Sequence, residues 1–299
     1  MPHRQANPLW QRFAGVTRAR IGLGRSGDAL PTQRSLDFQY AHACARDAVL
    51  ARIDCALLAA QLQPIPTLHV RSAADDRSTY LRRPDLGRRL AADSASVLLG
   101  GPFDAVFVVA DGLSANAVQT HAVPMLEAAF NRLSGWALGP VVIAEQARVA
   151  LGDEVGALLG AAMVVVLIGE RPGLTVPNSL GMYLTYAPRV GRRDAERNCI
   201  SNIHADGLPY TVAAAKLEWL MSQARALRLT GVALKEDAPG VVAPGVATPV
   251  EQRLTRAALN DAGAGVATPG VVTPGVATPV QRPLDSGLAK LPCSDARVD

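Results

Sequence analysis

The sequence predicts an α/β fold, a mainly parallel sheet flanked on both faces by helices. Three continuous apolar runs carry that expectation: "FDAVFVVADG" (residues 103–112), "GPVVIAE" (139–145) and "AMVVVLIGE" (162–170). A strand with one wet face alternates apolar and polar residues, whereas a strand covered on both faces reads as an unbroken β-branched run. The stretches between these runs have helical character, and strands alternating with helices point to parallel pairing. Each run also stops abruptly at polar or glycine residues.

Taken in order, residues 9–21 place Leu9, Phe13 and Val16 on one helical face, and a longer helical pattern runs from about Ser35 to Leu62. A polar connection then leads into "YLRRPDLGRRL", so residues 1–100 read as a helical region with loops. Residues 101–234 form the sheet domain. After its first run, Ser114 is placed to cap a helix through "ANAVQTHAVPMLEAAFNRL", and Pro124 is expected to break or restart that helix. "GDEVGALLG" is the next helix, and "SLGMYLTYAP" is a fourth strand-like run. The last helix begins near Leu208, where Pro209 suits a first turn. It presents Ala213, Leu217, Leu220, Ala224 and Leu227 on one face, and Gly231 is its expected stop.

Beyond Lys235 the composition changes. "GVATP" recurs at Gly245–Pro249, Gly265–Pro269 and Gly275–Pro279. Proline at that density interrupts helix and strand alike, and there is little large apolar mass to bury, so residues 235–299 are expected to form a low-complexity disordered tail.

The 299 residues are 49% hydrophobic and 19% charged, a balance suited to a globular core. No apolar run approaches the ~20 residues of a bilayer span, and "MPHRQANPLWQRF" lacks a signal-peptide pattern. A cytoplasmic protein with no membrane association is expected. Net charge is +4; the tail carries six basic and seven acidic residues, which leaves +5 on the rest. Arginines cluster at Arg82, Arg83, Arg88 and Arg89 and again at Arg192, Arg193 and Arg197. No nucleic-acid reader motif or aromatic platform accompanies them, so an arginine-rich protein interface is preferred to a nucleic-acid surface.

Cys44, Cys55, Cys199 and Cys293 show no metal-ligand spacing. Cys44 and Cys55 share a helical stripe with Ala48, Ala51 and Leu58 and read as small core residues, while Cys199 lies among polar and turn residues in "RNCISNIH". His42, His69, His121 and His204 likewise have no ligand spacing, so no metal site is expected and structural use of the histidines is favoured. Gly22–Gly27 is a literal GxGxxG, but a polar, helical-looking segment precedes it and Pro31 delays the following helix. A dinucleotide loop needs a strand before it and a helix after it, so this match reads as chance.

Asp111-Gly112-Leu113-Ser114, Glu145-Gln146 and Gly169-Glu170-Arg171 each fall just past a strand-like run. If those strands are parallel, all three loops share the carboxyl edge where α/β ligands bind. Ordinary capping loops, with Glu170 paired to an arginine, account for the pattern equally well.

Several longer blocks narrow the choice. "GRSGDALPTQ", "YLRRPDLGRRL", "VVADGLSANAV", "LIGERPGL" and "NCISNIHADGLP" together resemble the small (light) subunit family of ethanolamine ammonia-lyase, in the family's order, from about Asn7 to Leu234. The resemblance implies a Rossmann-like sheet and an adenosylcobalamin-dependent lyase that converts ethanolamine to acetaldehyde and ammonia by a radical mechanism. It implies a large TIM-barrel subunit that holds the substrate and an assembly of six large and six small subunits, with the small subunit covering the cobalamin at the interface. It carries cobalamin contacts onto Val149, Glu170 and Cys199, and no catalytic residue onto this chain. Those types suit the role: a carboxylate accepts N–H bonds from the corrin's amide rim, and valine offers apolar surface. The absence of DxHxxG fits cobalamin that keeps its own benzimidazole base. Because the resemblance begins almost at Met1, packaging into a protein-shelled microcompartment is not expected. The alternative is a stand-alone α/β module for a nucleotide or other small ligand.

Overall fold

The computed structural model describes residues 8–14, 16, 17 and 19–235, and the proline-rich tail read as disordered lies outside them. Contacts divide the chain into Met1–Pro244 and Gly245–Asp299, and every described residue belongs to the first unit.

Helices α1 (Pro8–Ala14), α2 (Thr32–Leu50) and α3 (Cys55–Gln61) come first. The helical pattern expected from Ser35 to Leu62 is two helices. Ala51 adopts an extended backbone, and Asp54 starts α3 by accepting the Leu57 N–H at 2.9 Å. Residues 1–100 also supply a strand that their polarity concealed, β1 (Thr67–Arg71), followed by the short helix α4 (Arg77–Arg82).

The core of the sheet is β2 (Ala105–Ala110), β3 (Val141–Glu145) and β4 (Met163–Gly169), joined through α5 (Ala115–Phe130) and α6 (Leu151–Leu158). β5 (Leu180–Tyr186), β6 (Asn198–Ile203) and α7 (Tyr210–Leu227) complete it. Strand order is β1-β3-β2-β4-β5-β6. The first four are parallel, while β4–β5 and β5–β6 are antiparallel. The α/β class is therefore observed, but the expectation of a mainly parallel sheet is corrected to a mixed one. A parallel return needs a crossover of a dozen or more residues, usually a helix. Residues 170–179 contain no helix, and the chain turns straight back.

Side chains alternate between the two faces. Phe107, Val109, Ile143, Val165 and Leu167 meet Leu58 of α3, Val118 and Leu126 of α5 and Leu217 of α7. On the other face Val106, Val108, Val164, Val166 and Ile168 meet Leu151 and Val155 of α6 and Leu90 and Leu98 of the connecting loops.

Ser114 caps α5 as expected, accepting the Ala117 N–H at 3.3 Å. Pro124 does not break this helix. Proline removes one backbone bond, at a cost of about 3 kcal/mol, and burial of Val118, Ala122, Met125 and Leu126 offsets it. In α7, Ala213, Leu217, Leu220 and Ala224 are buried as read, but Leu227 is exposed. That helix ends on Arg228 in the left-handed region (φ 58°), ahead of Gly231.

Gly112 (φ 56°) and Gly169 bring the loops after β2 and β4 into contact, where the Leu113 N–H donates to the Gly169 carbonyl at 3.0 Å. A Cβ on Gly169 would overlap the Ser114 carbonyl oxygen. Gly169→Ala is expected to cost about 3 kcal/mol of unfolding free energy. Gly135→Ala, at φ 86° with no atom within 4 Å of its Cβ, is expected to cost about 1 kcal/mol. Urea unfolding of both variants measures the contrast, and equal losses would remove the close approach as its cause.

Candidate functional site

β2, β3 and β4 are parallel, so Asp111, Gln146 and Glu170 do share one edge. At its centre is a buried charge. Asp111 is fully buried and accepts the N–H groups of Gln146 at 3.1 Å and Ala147 at 3.0 Å. Arg77, also buried, reaches Asp111 at 3.3 Å, the Gly112 carbonyl at 2.9 Å and the Val49 carbonyl at 2.7 Å. Tyr80 is packed between the guanidinium groups of Arg77 and Arg148, 4.8 and 4.4 Å from its ring centre. Its hydroxyl donates to the Ala147 carbonyl. With no side chain on Asp111 reaching solvent, this group is a fastener for the edge.

Glu170 is half-buried and pairs with no arginine among the described residues; its partners are Ser179, just before β5, and Asn202 of β6. The Ser179 hydroxyl donates to Oε2 at 2.6 Å, and the Asn202 N–H lies 3.3 and 3.4 Å from the two oxygens. Asn202 offers that N–H from the left-handed region (φ 63°), which asparagine tolerates well. Gly181 keeps the adjoining surface flat: a Cβ there would come within 2.9 Å of Glu170 Oε1. Arg171 is exposed.

Cys199, read among turn residues, lies on β6 directly opposite Tyr183 of β5. "NCISNI" escaped a strand reading because half of it (Asn198, Ser201 and Asn202) is polar and does not alternate with apolar residues. Cys199 is exposed, with Tyr183 directly across the strand pair from it. Loss of hydration raises the thiol's pKa; the Tyr183 contact opposes this and the Glu170 carboxylate adds to it. Burial likewise raises the Tyr183 phenol, with Cys199 and Glu170 adding to the shift. Val149, at the entrance to α6, shares with Tyr183 a cavity of about 340 Å³, also lined by Pro84, Arg88, Arg148 and Asp194.

Counted in strand alternation, Glu170, Tyr183 and Cys199 all face the α6 side of the sheet, the side on which Val149 packs. Thus the three residues singled out in the sequence converge on one surface. It has an apolar wall at Val149, an aromatic shelf at Tyr183 and a carboxylate acceptor at Glu170. The partners that shape it, Tyr183, Ser179 and Asn202, had no signal of their own. A buried pair steadies it: Arg197 of the loop before β6 grips Asp153 of α6 at 2.6 and 2.7 Å and donates to Thr185 of β5 at 3.0 Å.

The other sequence features find ordinary places. Gly22–Gly27 lies in an exposed loop, with no strand before it. Arg83, Arg88, Arg192 and Arg197 pair with Asp85, Asp194, Glu196 and Asp153, which neutralises much of the arginine clusters. His121 bonds the Tyr210 hydroxyl at 2.7 Å, and His204 bonds Asn202 Oδ1 at 2.9 Å. Spacing along the chain gave no ligand set, but the fold brings one group together: the ligand atoms of Cys55, His69 and Glu145 lie within 4.8 Å of one another. Separations of 14 and 76 residues hid it. Cys55 is correspondingly half-buried, as is Cys44.

Comparison with known proteins adds a family. Residues 7–235 match the family model "Ethanolamine ammonia-lyase light chain (EutC)". A protein of Azotobacter vinelandii named ethanolamine ammonia-lyase small subunit is 54% identical over 242 residues, 78% of this chain and 89% of that one. Proteins of the same name from Ralstonia nicotianae (55% identical; 78% and 89% covered) and Xanthomonas campestris pv. campestris (54%; 79% and 91%) are also similar.

Burial pushes Asp111 up to about 6, against the opposing pull of Arg77 and the backbone N–H groups. An unfolded aspartate titrates near ~3.9, so the folded state holds the extra proton between the two values. The contribution of this group to stability is full below the unfolded value and is lost as pH rises through about 6. Wild type is therefore expected to lose about 2 kcal/mol relative to Asp111→Asn between about pH 4 and about pH 7. Urea unfolding across that range measures it, and a relative gain with rising pH would reverse the assignment.

Proposed function

Since this chain belongs to the ethanolamine ammonia-lyase light-chain family, we propose that it is the small subunit of an adenosylcobalamin-dependent ethanolamine ammonia-lyase and covers the cobalamin where it meets a large catalytic subunit. The observation that carries this reading is the convergence of Val149, Glu170 and Cys199 on one face of the sheet, beside an open cavity. The residues present suit a corrin. Gly181 leaves a flat approach to Glu170 that a methyl group would fill, Tyr183 and Val149 give apolar area, and each Glu170 oxygen keeps acceptor capacity after its bonds to Ser179 and Asn202.

When bound, adenosylcobalamin supplies the radical chemistry that turns ethanolamine into acetaldehyde and ammonia. This chain's part is to bind and to exclude water. Ser179 and Asn202 hold the Glu170 carboxylate in one orientation, so that it accepts amide N–H bonds from the corrin rim without reorganising. Val149 and Tyr183 cover apolar corrin surface. Glu170 acts as an acceptor in this arrangement and transfers no proton. The substrate and its reacting atoms belong to the large subunit, in a six-plus-six assembly in the cytoplasm. Trp10, Phe13, Leu36, Phe38 and Tyr40 of α1 and α2 are 45–74% exposed, an unusual apolar display that suits burial against that partner. No helix among the described residues is long and apolar enough to cross a membrane.

Two measurements test the reading. Acetaldehyde formation with adenosylcobalamin is expected only when the large subunit is added; activity from this chain alone, or a stable monomer that ignores cobalamin in the large subunit's presence, would overturn it. Glu170→Gln removes the charge yet can still accept from Ser179, so cobalamin affinity of the complex is expected to fall about tenfold while assembly is unchanged. An unaltered cobalamin titration would take Glu170 out of the contact.

A further inference from the structure

We propose that Cys55, His69 and Glu145 form a binding site for a zinc-class divalent ion. The three come from separate elements: Cys55 from the first turn of α3, His69 from β1 and Glu145 from the end of β3. Parallel pairing sets His69 beside Ile143 and Arg71 beside Glu145, and α3 lays Cys55 over that corner. Their ligand atoms lie within 4.8 Å of one another, and His69 Nε2 is 2.7 Å from Glu145 Oε1. One sulfur, one imidazole nitrogen and one carboxylate oxygen are the donor types zinc takes, and three protein ligands leave a fourth position for water or a partner group.

The surroundings favour a cation. The carboxylates of Glu145, Asp111 and Asp54 all act on the half-buried Cys55. The negative field that disfavours a bare thiolate attracts a divalent ion, which itself stabilises the thiolate. On binding, the Sγ–metal bond forms and the thiol proton passes to solvent. His69 ligates through Nε2 and keeps its proton on Nδ1, so that Nε2···Glu145 contact is replaced by two bonds to the ion. A tetrahedral zinc site spaces its ligand atoms about 3.5 Å apart. The side chains of His69 and Glu145, 54% and 37% exposed, have room to close that gap and leave an entry path. The corner lies on the sheet face opposite Val149 and Tyr183, so this inference does not rest on the cobalamin reading.

The test is titration of the metal-free full-length chain with Zn²⁺ by calorimetry and with Co²⁺ by absorption. One ion per chain is expected, with a thiolate-to-cobalt charge-transfer band. Cys55→Ser is expected to abolish the band, and His69→Gln to weaken Zn²⁺ binding at least about tenfold, with circular dichroism unchanged. Should Cys55→Ser fold poorly, His69→Gln at its exposed position gives the reading alone. No stoichiometric binding, or binding undiminished in His69→Gln, would overturn the site, as would a charge-transfer band that survives in Cys55→Ser.

Discussion

The carboxyl edge of the sheet depends on one buried carboxylate. Asp111 directly follows β2, holds the first two N–H groups after Glu145, the last residue of β3, and is matched by Arg77, which in turn binds the end of α2 through Val49. An unpaired charge in that position would cost several kcal/mol, so the loops that supply its partners are constrained together. Gln146 takes a left-handed backbone (φ 52°), a conformation that carries strain for a residue other than glycine. The bonds of its N–H to Asp111 and of its side chain to Arg77 hold it there. From this fastener the geometry propagates through Tyr80 and Arg148 to Val149.

A second buried pair does the corresponding work on the antiparallel side. Arg197 and Asp153 are both almost wholly buried, and their bidentate bond ties α6 to β5 and β6. Buried ion pairs are weak contributors to net stability, but their directional bonds fix how elements meet. Here the meeting is between the helix whose entrance carries Val149 and the strands that carry Tyr183 and Cys199. Binding a large, rigid, flat group at low entropic cost needs that kind of fixed surface.

The described residues thus present two regions of different character on opposite faces of the sheet. The α6 side has half-exposed apolar groups beside a preorganised acceptor, suited to a ligand with an amide rim. The β1 corner gathers soft and charged donors suited to a metal ion. The exposed aromatic and aliphatic residues of α1 and α2 form a third, a display that a free-standing monomer would rarely keep.

Much of this was legible beforehand. Apolar runs located β2, β3 and β4, period-3.6 patterns located α5, α6 and α7, and the strand-end residues marked the edge that carries Asp111 and Glu170. These features are local, because a doubly buried strand or an amphipathic helix writes its environment into consecutive residues. β1 and β6 were missed because edge strands keep polar residues on the wet face. The direction of β5 was missed because apolar content does not encode strand sense. Only tertiary structure decided which distant groups meet. Ser179 and Asn202 reach Glu170, Arg197 reaches Asp153, and Cys55, His69 and Glu145 converge through pairings set by the whole sheet. Most of these contacts join residues tens of positions apart, and their energy depends on burial and geometry that no short stretch of sequence contains.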